Sequence, residues 1–489
     1  MIGLHPTARV SSRALRTVAS CAAACAVLFP LASVGCSHQD RMKTVTAAYT
    51  KGQYPVAAAE IEPLLQDRRD SEKDRTLYEL EAGQVYAAAA DAAKSTEALR
   101  TADERMWEYL DDAPEIRVSA TAAAILSNQT VIPYVGRTYD RIMCCSYLGL
   151  NHLAAGDLEA AAVSFKRAYE WQRDAVEKNA KEIEALEKEA GAKGTKDNYN
   201  AEAARSDPKT KAGFDSAYGP LENMTGYSNY AIPYATYLQA LQQTLTSQNA
   251  DLEQATFNFR RTAEMLPEAA RTYAADDAAR AEAATRGAAL KPHVHVLVET
   301  GMGPRLDELR IDIPLFMRQY PYAGAAFPVM KFNEGAVSGF TARAGGSSYP
   351  SALLTDMDRV VADEFKQRLP AIIALTIVST ATKMIATYAA QQAAMNSGDR
   401  NAAWAIAIGL AIYQASVNNA DLRIWLTLPK QVLYASFPAP AEGPVEIDLG
   451  DGQKIGPIEV ESTGATIVHV RSPNMGAAPV VRTMRFPAK

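Results

Sequence analysis

Residues 144–168, CCSYLGLNHLAAGDLEAAAVSFKRA, decide the fold of the N-terminal half of this 489-residue chain. Small residues stand where two helices would face each other, Gly149 on the first helix and Ala161 on the second. Gly156 lies between them and can supply the left-handed residue that commonly ends a helix. Phe165 is placed to fill the groove that the small residues leave. The stretch therefore predicts a closely packed pair of helices.

The spacing of this stretch resembles the tetratricopeptide repeat (TPR), a pair of helices that stacks on its neighbours. Leu148 and Gly149, then Ala161 and Phe165, occupy consensus positions, with Gly156 in the turn. Three weaker copies flank this one, and their matching positions include Gly83, Tyr86, Ala255, Phe259 and Pro267. Four copies exceed the usual minimum of about three for a stable stack. The resemblance implies an α-helical solenoid whose concave groove binds a partner.

Two insertions interrupt the predicted repeats, which span residues 43–285. The first covers residues 103–141 and contains two prolines that break its helical pattern. The second covers residues 175–224 and begins as a charged helix. Its middle, residues 191–219, is rich in glycine, lysine and aspartate, which predicts a mobile loop.

The first 35 residues have the features of a secretory signal: three arginines, an apolar run and small residues before the cleavage point. Cys36 follows directly, in a setting that resembles the lipobox of bacterial lipoproteins. The resemblance implies acylation of Cys36, a lipidated tether over residues 36–42, and insertion of the acyl chains into the lipid bilayer. Because Ser37 rather than aspartate follows the cysteine, it further implies an outer-membrane lipoprotein that faces the periplasm. A soluble periplasmic protein is the alternative.

Composition limits the classes of partner. The chain is 48% hydrophobic and 22% charged, as in ordinary globular proteins. Its formal net charge is −6, and removal of the signal, with three arginines and no acid, makes it −9. An acidic chain without basic clusters argues against nucleic acid as a partner. Besides Cys36, only Cys144 and Cys145 remain after the signal, and we expect buried thiols rather than a vicinal disulfide.

The C-terminal part, residues 286–489, changes from helical to alternating periodicity. Residues 293–298 and 309–315 alternate most clearly and predict strands. Further strands are predicted at residues 325–332, 422–428, 431–437, 445–449, 458–461 and 467–470. Residues 335–348, rich in glycine and serine, predict a loop between them.

Two apolar helices are predicted within this part, at residues 358–394 and 402–416. Neither contains the roughly 18 uninterrupted apolar residues of a spanning helix. We therefore expect a buried helical hairpin over residues 358–418, with membrane contact as the alternative. The predicted fold class is α+β: an N-terminal TPR-like solenoid followed by a domain of β-strands that contains the hairpin.

Candidate chemistry is sparse. His293 and His295 share one face of a predicted strand, which is the geometry of two metal ligands, but no third ligand is identifiable and exposed histidines are the simpler expectation. Glu299 and the acids at 307 and 308 flank a turn and could act as general acids or bases, although surface positions are commoner. GxSxG, HExxH and phosphate-loop motifs are missing from the sequence. We predict neither a catalytic residue nor a cofactor.

The overall layout is similar to bacterial TPR-containing cell-envelope lipoproteins of unknown function. The segments that carry this resemblance are Arg141–Ala168, Val296–Leu315 with Glu299, Gly301 and Pro304, and Asp421–Pro429. The resemblance implies location and repeat architecture but no activity. The function we expect is a non-enzymatic, membrane-anchored adaptor that binds an envelope protein partner. The alternatives are a secretion or pilus assembly factor, and a ligand-binding or enzymatic C-terminal domain with a site near Glu299.

Overall fold

The computed structural model describes residues 37–67, 72–111, 132–197, 199–246, 248–316, 322–396 and 419–488. Within these ranges the α-helices are α1 His38–Arg41, α2 Lys43–Thr50, α3 Tyr54–Gln66, α4 Arg75–Ala88, α5 Ala92–Asp111, α6 Thr138–Ala154, α7 Leu158–Asp197, α8 Ala201–Arg205, α9 Pro208–Tyr218, α10 Pro233–Leu245, α11 Asn249–Met265, α12 Thr272–Thr285 and α13 Met357–Asn396. All of these helices except α13 precede the first strand, so the N-terminal half is helical as expected.

The strands of the described residues are β1 His293–Thr300, β2 Arg305–Pro314, β3 Tyr322–Lys331, β4 Thr341–Ala344, β5 Ser347–Pro350, β6 Ala352–Asp356, β7 Gln431–Pro438, β8 Val445–Asp448, β9 Lys454–Ile458, β10 Ala465–Ser472 and β11 Val480–Phe486. They form a five-stranded sheet of order β11-β10-β1-β7-β6, a four-stranded sheet of order β5-β4-β8-β9, and the β2-β3 hairpin. β1 runs parallel to β10 and antiparallel to β7. The α+β class predicted from sequence is confirmed.

The central strand β1 is buried on both faces, which explains how the layers stack. Val294, Val296 and Val298 pack with residues of the four-stranded sheet in one apolar cluster. Leu297, on the opposite face, belongs to a second cluster that runs continuously from the helices into the five-stranded sheet. The five-stranded sheet is therefore the middle layer, between the helices and the four-stranded sheet. Such a position is usual for a strand that lies in the centre of a mixed sheet.

Most predicted strands are confirmed, and the exceptions have physical reasons. Residues 422–428 form no strand: 422–425 have no regular secondary structure and 426–428 form a turn and a bend. Side chains of other elements bind their backbone instead. The strand predicted at residues 458–461 lies earlier, at β9. Part of the predicted loop at residues 335–348 is strand β4, and the edge strands β6 and β11 were not predicted. The strand β5 was not predicted either, and the strands missed from the sequence are short or lie at the edges of their sheets.

The loop predicted at residues 191–219 is wrong. α7 continues to Asp197, and α8 and α9 follow. Phe214 and Tyr218 lie on α9 and are buried against the β2-β3 hairpin, where the Phe214 and Phe327 rings lie 5.1 Å apart. The Tyr218 hydroxyl donates to the Pro328 carbonyl at 3.0 Å. Burial of these aromatic side chains outweighs the polar composition of the segment.

The first apolar helix is confirmed as α13, and the second, at 402–416, lies outside the described residues. Met357–Ala389 is long and apolar enough to cross a membrane, judged by length and composition alone, and nearly half of its most apolar stretch is buried. Most of the first insertion, residues 112–131, also lies outside the described residues. Burial of the predicted hairpin is seen for the first part of α13, and it stays a prediction for residues 397–418, which lie outside the described residues.

Residues 37–42, which the sequence assigns to a lipidated tether, are packed against the body and contain the short helix α1. Ser37 caps α1: its hydroxyl accepts from the Asp40 amide, and its own amide is bound by the Asp40 carboxylate. His38 and Met42 are 3% and 0% exposed. An N-cap and two buried side chains fix this segment to the body. Cys36 itself lies outside the described residues.

Candidate functional site

The predicted repeat residues form the contacts that their spacing requires. A Cβ at Gly149 would overlap the Phe165 ring, and a Cβ at Gly83 would overlap the Leu99 side chain. Gly156 has a φ of +77°, the left-handed conformation predicted for it. The other repeat positions are largely buried, apart from the exposed Pro267: Tyr86, Leu148, Ala161, Ala255 and Phe259. The helix pairs α4–α5, α6–α7 and α10–α11 are therefore closely packed.

Replacing Gly149 with leucine should lower the free energy of unfolding by about 3 kcal/mol, because the new side chain has no space beside Phe165. Thermal or denaturant unfolding followed by circular dichroism measures this change. Gly191→Ala is the matched control, since a Cβ at this helical glycine meets nothing within 4 Å. Alanine there should stabilise the helix by up to about 1 kcal/mol. If the Gly149 variant is as stable as the wild type, the close packing of α6 and α7 is wrong.

Residues 421–428, hereafter the inner segment, lie between the helices and the sheet. The Glu81 carboxylate of α4 accepts from the Leu426 amide at 2.6 Å, the Thr427 amide at 3.0 Å and the Thr427 hydroxyl at 2.7 Å. Arg423 pairs with Asp421 at 2.8 Å and with Asp74 at 3.2 Å. Side-chain partners thus replace a strand ladder for this backbone. The chain itself occupies part of the surface that the repeats would offer to a partner.

His38 lies beside the same carboxylate, its Nε2 3.8 Å from Glu81, and its ring centroid is 5.1 Å from that of Tyr78. Burial and the nearby Arg423 lower the pKa of His38 to about 3. Burial raises the pKa of Glu81 to about 8, against the effect of its three donors. The neutral imidazole is therefore the form that the folded protein favours, and the unfolded chain binds a proton more readily.

Replacing His38 with phenylalanine should remove one source of acid sensitivity. A histidine with a lowered pKa in the fold contributes its full stability above pH 6.5 and loses it as the pH falls toward 3. Between pH 7 and pH 5 the stability difference between variant and wild type should shift by about 2 kcal/mol in favour of the variant. Denaturant unfolding of both proteins at pH 8, 7 and 5 measures it, and little shift is expected between pH 8 and 7. A constant difference over the whole range would contradict a neutral buried His38.

Glu299 is fully buried, contrary to the expectation of a surface acid. Its carboxylate accepts from the Tyr234 hydroxyl of α10 at 2.8 Å and lies 3.1 Å from the His469 Nε2 of β10. Arg471 lies 3.9 Å away, and the Tyr147 hydroxyl of α6 donates at 3.3 Å. Burial raises the pKa of Glu299, but His469 and Arg471 outweigh it and hold the pKa below its ordinary value. The acid thus binds two helices to the sheet as a carboxylate.

The two histidines of β1 meet a third polar residue that the sequence did not identify, Asp277 of α12. His293 Nε2 lies 3.6 Å from Asp277 Oδ1, and His295 Nδ1 lies 3.7 Å from Oδ2. The three side chains have the composition of a metal-binding triad. His295 is 1% exposed rather than exposed to solvent as expected. Asp277 carries no motif in the sequence, because only the helix register of α12 directs it to the sheet.

Two neighbours decide whether this triad fits a metal ion. The Ser436 hydroxyl lies among the ligand atoms, 2.9 Å from both Asp277 Oδ1 and His293 Nε2. The Arg280 guanidinium lies 3.1 Å from His295 Nε2, and a guanidinium can only donate. His295 therefore carries its proton on Nδ1, the nitrogen that a metal would need free of it. The triad fits a hydrogen-bonded cluster that joins α12 to the sheet better than a metal centre.

Both cysteines of the described body are buried free thiols, as predicted. The Sγ of Cys144 lies 3.3 Å from the Leu99 carbonyl, and that of Cys145 lies 3.5 Å from Asp103. Burial raises the pKa of each thiol well above its ordinary value, so neither is an activated nucleophile.

Comparison with known proteins gives no assignment. No protein-family model matches the chain, and neither a curated protein nor a solved structure matches it significantly.

Proposed function

We propose that this protein is a lipid-anchored adaptor of the bacterial cell envelope, held at the periplasmic face of the outer membrane through acylated Cys36. The signal-like sequence before Cys36 supports this proposal most directly, and the structure adds that Ser37 caps the first helix and that His38 and Met42 are buried. A body that starts one residue after an acylated cysteine lies against the bilayer without a flexible stem. Several acyl chains on one residue make such attachment stable.

The helix pairs support partner binding, and we interpret them as TPR-like repeats. Their close packing at Gly83 and Gly149 is what stacked repeats require. Because the inner segment and the sheet cover one side of the helices, we expect the partner on the exposed side. Phe257 of α11 and Val163 of α7 are large apolar side chains that are 57% and 61% exposed, and we expect such residues to contact the partner.

The buried acids favour binding over catalysis. Glu81, Asp277 and Glu299 are at most 1% exposed. Each accepts a hydrogen bond from an element other than its own. A general acid or base must come within hydrogen-bonding distance of its substrate. The contacts of these acids instead join helices to the sheet, which is a structural role.

Anchoring is tested on protein purified from the bacterial envelope. Mass spectrometry of the N-terminal peptide should find acyl chains on Cys36, and the protein should enter the detergent phase of a detergent–water partition. The Cys36→Ala variant should remain in the aqueous phase. An unmodified Cys36 in the mature wild type would show that the anchor is wrong.

Partner binding is tested in cells with a photo-crosslinking residue at Phe257. We expect one dominant envelope protein among the crosslinked products, reduced in the Cys36→Ala variant. Met475, 52% exposed in the C-terminal half, is the matched control position and should give no such product. If Phe257 and Met475 give the same products, the exposed side of the helices is not a specific binding surface.

A further inference from the structure

The helix α13 carries six charged residues between Asp358 and Arg368 and becomes apolar after them, and the body covers mainly its first part. Residues on that part that are at most 4% exposed are Ala371, Ile373, Leu375, Ile377 and Val378. Beyond Lys383 the burial falls: Ala389 and Ala393 are exposed, and Met395 is 48% exposed. No charged residue occurs between Lys383 and Asn396. This end, hereafter the apolar arm, is therefore an uncharged helix on the surface of the body.

The length of the apolar arm suits one leaflet of a bilayer. At about 1.5 Å per residue, the residues after Lys383 extend about 20 Å. The hydrocarbon core of a bilayer is about 30 Å thick. The arm is therefore too short to cross a membrane but long enough to lie within its surface layer, as monotopic amphipathic helices do.

The described chain resumes after the apolar arm at residue 419 and there contacts the first helix of the body. The sequence contains no charged residue from Asn401 to Ala420. The Ala420 amide donates to Glu308 at 3.0 Å, and two residues later the Leu422 carbonyl accepts from the Gln39 side chain at 2.9 Å. Gln39 is three residues from Cys36. Asp399 and Arg400 separate the apolar arm from this uncharged stretch, which ends beside Gln39 and so close in sequence to the residue that would carry the acyl chains.

We propose that the apolar arm inserts into the same lipid bilayer that anchors Cys36. The acyl chains hold the protein on the membrane, and the arm supplies a second contact that fixes which side of the body faces the lipid. Burial of the exposed Ala389, Ala393 and Met395 side chains drives insertion, since apolar side chains gain free energy when they leave water for hydrocarbon. This inference rests on the proposed lipid anchor for the side of the body that faces the membrane. Insertion of the apolar arm can be measured without the anchor.

The test uses the full mature chain with Cys36→Ala, so that no acyl chain contributes. It is mixed with vesicles of phosphatidylethanolamine and phosphatidylglycerol and separated by flotation. We expect the protein to float with the vesicles, and the double variant Ala393→Asp and Met395→Asp to lose at least tenfold in bound fraction. Both positions are exposed, so the variant should keep its thermal stability. Met475→Asp, an equally drastic change at a position that is 52% exposed, should bind as the parent does.

A second readout locates the arm. In the Met395→Trp variant, tryptophan fluorescence should shift to shorter wavelength on vesicles and be quenched by lipids brominated on their acyl chains. A parent protein that does not float, or an Asp variant that floats equally well, would overturn the proposal. So would concentration-dependent dimerisation that the Asp variant abolishes, without vesicle binding, because a second copy would then cover the arm. Failure of acylation at Cys36 would not affect these results.

Discussion

Replacing Glu299 with glutamine is expected to lower the free energy of unfolding by about 3–5 kcal/mol. The carboxylate is fully buried and bound by the hydroxyl of Tyr234 at 2.8 Å. It also lies 3.1 Å from His469 and 3.9 Å from Arg471. Glutamine has nearly the same shape but no negative charge, so Arg471 would remain buried without a carboxylate. Removing one partner of a buried ion pair costs far more than the pair itself contributes.

Denaturant unfolding at pH 7 measures this loss. Asp307→Asn is the matched control, since Asp307 is 41% exposed and forms a surface pair with Arg305 at 3.2 Å. Breaking that pair should cost at most about 1 kcal/mol. If the two variants lose the same stability, Glu299 is not held as a charged structural residue. The alternative of a functional acid near this position would then gain support.

The repeat residues show what the sequence can predict. Gly149 and Phe165 lie sixteen positions apart, and their contact follows from the geometry of two helices joined by a short turn. Gly156 likewise has the backbone conformation that its place at a helix end requires. Such features depend on local spacing, which a single sequence displays directly. The same is true of the strong alternation that predicted β1.

The inner segment shows that contacts between residues far apart in the chain cannot be predicted from a local sequence pattern. Its apolar alternation predicts a strand, but whether a strand pairs depends on what lies beside it. The nearest acceptor for its amides is Glu81, more than three hundred residues earlier in the chain. Asp277 joins the histidines of β1 for the same reason, through the docking of α12 on the sheet. Such contacts between distant residues leave no pattern in their own neighbourhoods.

The polar clusters also explain why separate domains are a poor description of this chain. The helices and the five-stranded sheet share one continuous apolar cluster. At its edges Glu299 binds α6 and α10, and Asp277 binds β7 through Ser436 and α10 through Tyr237. The contact between the helices and the five-stranded sheet is therefore buried, and the two cannot separate without breaking these hydrogen bonds. The two halves should therefore unfold together.

Replacing Trp425 with alanine is expected to destabilise the protein by about 3–5 kcal/mol and to shift a single unfolding transition. Trp425 is 1% exposed in the inner segment, and its ring centroid lies 5.9 Å from that of Tyr147 on α6. Its indole nitrogen donates to the Thr427 hydroxyl at 2.9 Å. Alanine would leave a cavity between the helices and the sheet, which both halves line. Loss of this side chain should therefore weaken both halves equally.

Circular dichroism at 222 nm, which follows mainly helices, and the near-ultraviolet signal of aromatic residues should report the same shifted midpoint for Trp425→Ala. Coincident transitions from different probes are the usual test of cooperative unfolding. Met475→Ala, at a position 52% exposed, is the matched truncation and should change stability by less than about 0.5 kcal/mol. Two separate transitions, of which the variant shifts only one, would show that the helices and the sheet fold independently. In that case the inner segment could leave the helices without unfolding them, and their covered side would be open to a partner.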